Sequence, residues 1–369
     1  MVTHMEDNGR ATGLRGRLGD LCYRSGMLRP LQHLRAWWRS DLRILAYHRV
    51  LTLADPETFD FDLELISTSA ERFREQMLLV KQRFHPVRMA DVVSALDEGS
   101  RLPADAVVVT FDDGYDDNYT VAYPILRELG MPATFFVSTG HIDSGRPFAY
   151  DWLVYMILHT SAGWLKLPEL GMDMSIPAER RARRELGGEV LLRLKGQDDP
   201  IQAMLIDRLE REWGMPRDAA PAHCRPMNWT QLREMHAAGF EIGSHGVDHR
   251  MLAKLQQREL EAELRTSKAT LERELGEPAT LLSYPVGGDR AFNEQVVQAT
   301  RDAGYQLACS YISGTNAMST ANRYALRRLP VERMMGKGWF TSMLTLPELM
   351  SYPSASRNNG SSQTSACSH

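Results

Sequence analysis

Asp112 and Asp113 stand side by side after Val107-Val-Val-Thr-Phe111, an apolar, β-branched run, and are followed by Gly114. Such a run reads as a buried strand. In parallel α/β proteins the carboxyl ends of buried strands carry the active sites. Two adjacent carboxylates can divide labour, one neutralised by a cation and the other left as a base. A second candidate follows another short apolar segment. Phe240-Glu-Ile242 leads into Gly243-Ser-His-Gly-Val-Asp-His249, where the imidazoles of His245 and His249 can reach one ion if the chain turns there. A histidine pair alone is more often two surface residues; its place just past a strand end, like that of the Asp pair, gives it weight. Two His and one Asp would make a three-ligand site with open positions for water and substrate. A third element, Leu282-Ser-Tyr-Pro-Val-Gly-Gly288, is a strand running into a Pro/Gly turn. It reads either as a plain strand-helix loop or as one wall of a substrate groove. In the second case Tyr284, Pro285 and Val286 lie at the groove, with a backbone N–H available to a developing oxyanion. His48, in Ala46-Tyr-His-Arg-Val50, ends the first apolar strand; in isolation it would be a satisfied core histidine.

These positions must be brought together by the elements between them. Ile44–Tyr47, Val107–Phe111, Ala133–Val137, Phe240–Ile242, Leu281–Tyr284 and Tyr305–Ala308 read as strands. Helical stretches alternate with them: Glu71–Phe84, with Phe73, Met77, Val80 and Phe84 at helical spacing, Tyr119–Leu129 before Gly130, Trp229–Ala238, Arg258–Leu275 and Asn293–Ala303 before Gly304. The β-α order implies parallel strands with right-handed crossovers. The expected fold is α/β, a distorted (β/α) barrel rather than an open sheet, because the chemical residues all fall at strand ends. This domain is expected over residues 43–350. From about 143 to 226 the rhythm breaks into a charged, strand-poor stretch, read as a helical insertion beside the active-site face. Its run Arg180-Arg-Ala-Arg-Arg184 reads as a solvated helix face or, alternatively, as a binder of anionic substrate. Residues 351–369, rich in Ser and Asn, are expected to be disordered.

Composition narrows the function classes. The chain has 369 residues and a net charge of -4, which gives no reason to expect a nucleic acid partner. No apolar run is long enough to span a bilayer. Residues 1–19 are polar, without the apolar core of a signal peptide, so the expected location is cytoplasmic. Cys22, Cys224, Cys309 and Cys367 form no Cys-x-x-Cys pair, which argues against a cysteine-based metal site. Residues 1–42 form a basic segment with Leu28-Arg-Pro-Leu-Gln-His-Leu-Arg-Ala-Trp-Trp-Arg39 at its centre. The plainer reading is a surface helix capping the barrel; the alternative is a peripheral contact with an anionic membrane.

Taken together, the four elements resemble the polysaccharide deacetylase family, the NodB-homology or carbohydrate esterase family 4 proteins, over residues 43–335. Thr110-Phe-Asp-Asp-Gly114 is similar to the family's first motif, Ser244-His-Gly-Val-Asp-His249 to its second, His-Ser/Thr-x-x-His motif, and Tyr284-Pro-Val-Gly287 to its third. The resemblance implies that Asp112 is the general base. It implies that Asp113, His245 and His249 hold one divalent metal, usually zinc, with cobalt, nickel or iron as alternatives. The oxyanion would rest on the metal and the Val286 N–H. The implied reaction is hydrolysis of N-acetyl groups on an N-acetylated carbohydrate, such as an exopolysaccharide or its precursor. Three departures stand out. Gly246 replaces the usual hydroxyl residue. Ser283 stands where an arginine usually orients the base. No Leu-x-His motif follows Tyr305. One branch of the family carries that last histidine near the N-terminus in a Tyr-His segment, which Tyr47-His48 matches; His48 is then the implied general acid. The rival readings are a non-catalytic glycan-binding protein on the same fold and a non-haem iron oxygenase, since two His and one carboxylate also suit Fe(II).

Overall fold

The computed structural model describes residues 14–221 and 224–352. All but the first two residues of the expected disordered tail lie outside that range. Seven strands run parallel and close on one another in chain order: β1 (Asp41–Tyr47), β2 (Ala106–Phe111), β3 (Thr134–Val137), β4 (Glu241–Ser244), β5 (Leu281–Ser283), β6 (Leu307–Ser313) and β7 (Leu326–Pro330). β7 returns to pair with β1, Leu45 opposite Leu329, while β1 pairs on its other side with β2 from Arg43–Val107 to Tyr47–Phe111. The distorted (β/α) barrel is therefore the observed fold. β7 is not among the strands expected from sequence, because Arg327-Arg328 interrupts its apolar pattern.

Side chains alternate across a strand with period two, and that alternation builds the barrel interior. Leu42 and Ile44 of β1, Ala106 and Val108 of β2, Phe136 of β3, Leu281 of β5, Leu307 and Cys309 of β6 and Leu326 of β7 form one buried cluster with Val92 and Met89 of the helix Met89–Glu98. The opposite set, including Leu45, Tyr47, Val109, Phe111 and Phe135, packs outward against the surrounding helices. β4 presents Gly243 to the interior; a Cβ there would lie 2.6 Å from the Phe136 ring, so the tight lumen requires glycine. Below it, Glu241 accepts from the N–H groups of Met89 and Ala90 and caps the helix that plugs the amino end of the barrel.

Between β3 and β4 the chain builds a subdomain with its own core, in which Trp152, Ile157, Val190, Leu194 and Leu205 are buried. Its helices are Ala149–His159, Arg180–Lys195 and Asp199–Trp213. It also holds an antiparallel hairpin, Trp164–Leu167 against Met172–Ser175, in a stretch read as strand-poor. Of the arginine run only Arg181 is the solvated residue expected, pairing with Glu185 at the surface; Arg180, Arg183 and Arg184 turn to protein carbonyls. Arg180 donates to the carbonyls of Glu57 and Thr58, Arg183 to those of Pro177, Leu158 and Thr160, and Arg184 to that of Phe61. Arg180 and Arg184 tie the subdomain to the loop after β1 and Arg183 braces the subdomain internally, tasks suited to their fork of donors.

The N-terminal residues form α1 (Leu14–Arg24) and α2 (Leu28–Trp38). α1 lies so close to the helix Lys337–Thr345 that a Cβ on Gly19 would sit 2.8 Å from the Trp339 backbone. α2 caps the start of β1: Arg35 makes two 2.6 Å bonds to Asp41 and a third to Glu348. No helix among the described residues is long and apolar enough to cross a membrane.

Candidate active site

The inward positions continue past the last strand residues. After Ala106 and Val108 the same face of β2 carries Thr110 and then Asp112; after Leu42 and Ile44 the face of β1 carries Ala46 and then His48; after Glu241 and Gly243 that of β4 carries His245. All three are buried, with His48 8% and Asp112 and His245 2% exposed. Strict alternation would turn Asp113 outward. Its backbone is left-handed instead, with φ 74°, which swings the carboxylate back to the same rim. His249 (φ 56°) and Val286 (φ 63°) are left-handed as well, so three of the four non-glycine positive-φ residues among those described lie at this site. For a β-branched valine the conformation costs on the order of 1–3 kcal/mol, and such strain persists where the surroundings over-determine it.

The result is a cluster in which ligand atoms of Asp113, His245 and His249 all lie within 4.8 Å of one another. Asp113 Oδ1 is 3.4 Å from His245 Nε2 and 3.2 Å from His249 Nε2. That oxygen is buried and, among the described residues, has no hydrogen-bond partner. His245 Nδ1 is 2.7 Å from the Ser283 carbonyl, which fixes the proton on Nδ1 and leaves the Nε2 lone pair facing the cluster. One carboxylate oxygen and two imidazole nitrogens, converging and otherwise unclaimed, fit a divalent cation. Burial pushes the Asp113 carboxyl up, but the imidazoles of His245, His249 and His48 hold it well below its usual range.

Asp112 is held differently. Arg328 of β7 grips it with both nitrogens, Nη1 to Oδ1 at 2.8 Å and Nη2 to Oδ2 at 2.6 Å. The same guanidinium donates to Ser283 Oγ and the Ser310 carbonyl. Burial would raise the Asp112 pKa; Arg328, with His245 and His48 nearby, lowers it below the ordinary value and keeps the carboxylate charged. The arginine that the third motif lacks at Ser283 is thus supplied from another strand, and Ser283 is small enough to let it pass and to accept from it. The one sequence signal was an arginine at an inward position, two residues after Leu326.

The turn between the histidines is also braced from elsewhere. Glu263 Oε2 accepts from the Val247 N–H at 2.7 Å and the Asp248 N–H at 3.3 Å. A Cβ on Gly246, itself at φ 80°, would come within 3.0 Å of that carboxylate oxygen. Glycine and Glu263 together replace the hydroxyl residue of the family pattern.

The third motif divides. Tyr284 does not line the groove: period two points it outward, where it is fully buried, its hydroxyl donating to the Tyr324 carbonyl and its ring stacked on Phe292. Pro285 is buried next to Gly246. Val286 is partly exposed, and among the described residues no group accepts its N–H. Tyr311, which sequence reasoning passed over, stands with its ring 5.3 Å from that of His48 and over the Arg328 guanidinium. From the subdomain, Phe148 and Tyr150 bring their rings to 5.4 and 6.3 Å from that of His249.

The sequence profile of polysaccharide deacetylases matches residues 99–308, more than half of the chain. The chain belongs to the polysaccharide deacetylase family. Among curated proteins it is 24% identical over 234 residues to the putative polysaccharide deacetylase YxkH of Bacillus subtilis strain 168, covering 63% of this chain and 54% of that one. It is 34% identical over 109 residues to the poly-β-1,6-N-acetyl-D-glucosamine N-deacetylase of Escherichia coli K12, covering 29% of this chain and 15% of the enzyme. The chain thus spans about half the length of the first relative and a small part of the second. The deacetylase fold recurs in the Streptococcus pyogenes deacetylase PplD, solved with acetate, at TM-score 0.55 and 19% identity over 85% of this chain and 99% of that one. It recurs in IcaB from Ammonifex degensii at TM-score 0.51 and 18% identity over 83% and 96%. At these identities the structural likeness speaks for the fold alone.

Proposed function

We propose that this protein is a metal-dependent hydrolase that removes N-acetyl groups from amino sugars of a glycan or glycan precursor. The observation that carries the reading is the Asp113-His245-His249 cluster set beside a second carboxylate, Asp112, that Arg328 keeps ionised. A divalent ion held by the cluster, with zinc the first choice by donor set, would supply a Lewis acid for the acetyl carbonyl and its attacking water.

The chain's own groups account for the proton movements. Asp112 accepts the proton of the water that adds to the carbonyl carbon; Arg328 occupies one lone-pair direction of each oxygen and leaves others free. The Val286 N–H, without an acceptor among the described residues, stands ready for charge developing on the carbonyl oxygen. As the C–N bond breaks, His48 gives a proton to the leaving nitrogen, and acetate and a free amine result. His48 suits this role because β1 adjoins β7, so a group at the first strand can serve where a residue of the last strand would. This agrees with the family branch that carries a Tyr-His segment.

The test is acetate release from a panel of N-acetylated oligosaccharides, with metal content measured on the same samples. About one divalent ion per chain is expected. His245→Ala and His249→Ala should each lower both metal content and turnover; unchanged stoichiometry in both would remove the cluster from consideration. His48→Ala should keep its metal and lose about 10²–10⁴-fold on amides. An activated acetate ester, which needs little proton donation, should recover part of that loss. Equal losses on amide and ester would move the acid elsewhere.

A further inference from the structure

α2 buries a glutamine and an arginine while it exposes both of its tryptophans. Beside the buried Leu28, its protein-facing side carries two polar residues: Gln32 donates to the Arg83 carbonyl and to Asp105, and Arg35 holds Asp41 and Glu348. Its solvent side carries three large apolar side chains beside Arg29 and His33. Trp37 is 79% exposed, Trp38 73% and Leu34 54%, and Leu21 of α1 is 64% exposed, with Leu18 and Met27 also open. The two indoles stand edge to face, 5.2 Å apart. A soluble capping helix would place these residues the other way round.

The rim of this patch has a sign. Arg15, Arg17, Arg24, Arg29 and Arg39 are exposed on the two helices and the residue that follows, while the sole acid between residues 14 and 40 is Asp20. The chain as a whole is acidic, at -4, so the positive charge is concentrated here. Exposed tryptophans within a ring of arginines match the headgroup layer of an anionic bilayer, where an indole sits with its apolar body inside and its N–H in the wet zone. A second copy is a poor occupant, because a two-fold contact would set arginine clusters against each other.

We infer that α1 and α2 form a membrane-surface attachment, with Trp37, Trp38, Leu34 and Leu21 entering the interface of an anionic bilayer and the exposed arginines engaging its headgroups. α2 meets the barrel at Asp41, the first residue of β1, and the metal cluster lies at the opposite, carboxyl end of the strands. Over the seven residues of β1 that separation is roughly 20 Å. The attached protein therefore turns its site toward the aqueous phase. If the site acts as proposed, its substrate is a glycan segment free of the lipid surface; the attachment itself does not depend on that activity.

The experiment is co-sedimentation of the full chain with phosphatidylcholine vesicles, with and without about 30 mol % phosphatidylglycerol. Anionic vesicles should bind at least about tenfold more tightly than neutral ones, since each arginine near such a surface adds about fivefold. Raising the salt to about 0.5 M should release the protein. Trp37→Ser with Trp38→Ser should weaken binding about tenfold or more while circular dichroism and turnover on a soluble substrate stay unchanged. Arg15, Arg17, Arg24 and Arg29 changed to Gln should abolish the preference for anionic lipid. Asp112→Asn should bind vesicles like the wild type, which separates this result from the fate of the catalytic reading. Equal binding to both vesicle types, no binding at about 1 mM lipid, or indifference to the tryptophan changes would overturn the inference. So would a solution dimer that dissociates in the tryptophan variant, which would assign the patch to a second copy.

Discussion

Asp112→Asn is expected to keep the metal and to lose about 10²–10⁴-fold in acetate release. Asn preserves the shape of the side chain and one oxygen for Arg328 but has no basic oxygen for the proton of the attacking water. The ligand set on Asp113, His245 and His249 is separate from Asp112, so metal content should not change. Arg328 still has the Ser283 hydroxyl and the Ser310 carbonyl to donate to, which limits the structural damage. Turnover within a few-fold of wild type would show that Asp112 is a structural counter-ion to Arg328 and that another group is the base.

The second large effect belongs to Arg328. Its side chain is fully buried, and it is the principal cation holding Asp112. Arg328→Met removes one partner of a buried pair and leaves the other uncompensated, a change that typically costs about 3–5 kcal/mol. The effect on pH dependence has a definite sign. In the wild type, burial raises the Asp112 pKa, but Arg328 and the neighbouring imidazoles lower it below its ordinary value, so the base stays ionised into acid. Without Arg328 burial dominates and the pKa rises. The acid limb of the activity profile should therefore move to higher pH, and the deficit against wild type should grow as pH falls. The same depressed pKa stabilises the fold above the unfolded-state value, a contribution lost as pH drops through the folded-state value. Arg328→Lys keeps the charge without the two-pronged grip and should fall between the two. An unshifted profile together with an unchanged thermal midpoint would mean that Asp112 does not depend on this partner.

Much of this protein is legible in the chain itself. Six of the seven barrel strands announce themselves as short apolar runs, and the three ligand residues stand just beyond two of them, because a parallel barrel exposes its strand ends only at one rim. The period-two alternation that buries Val108 also predicts an inward Asp112, and that which buries Ile44 predicts an inward His48. Local pattern could not supply the partners. Asp113 faces the cluster because its backbone is left-handed, a conformation that residue type alone does not announce outside glycine. Arg328 reaches Asp112 across 216 positions of sequence, from a strand whose two arginines hide its apolar periodicity. Glu263 braces the histidine turn from a neighbouring helix, and Tyr284, apolar and next to a motif proline, turns out to be core. Sequence also showed α2 as basic and leucine-rich but not which way it faces. Orientation depends on what the inward side has to satisfy, and here that side meets Asp41, Asp105 and Glu348. Only the assembled barrel places those carboxylates together and so leaves the tryptophans on the outside.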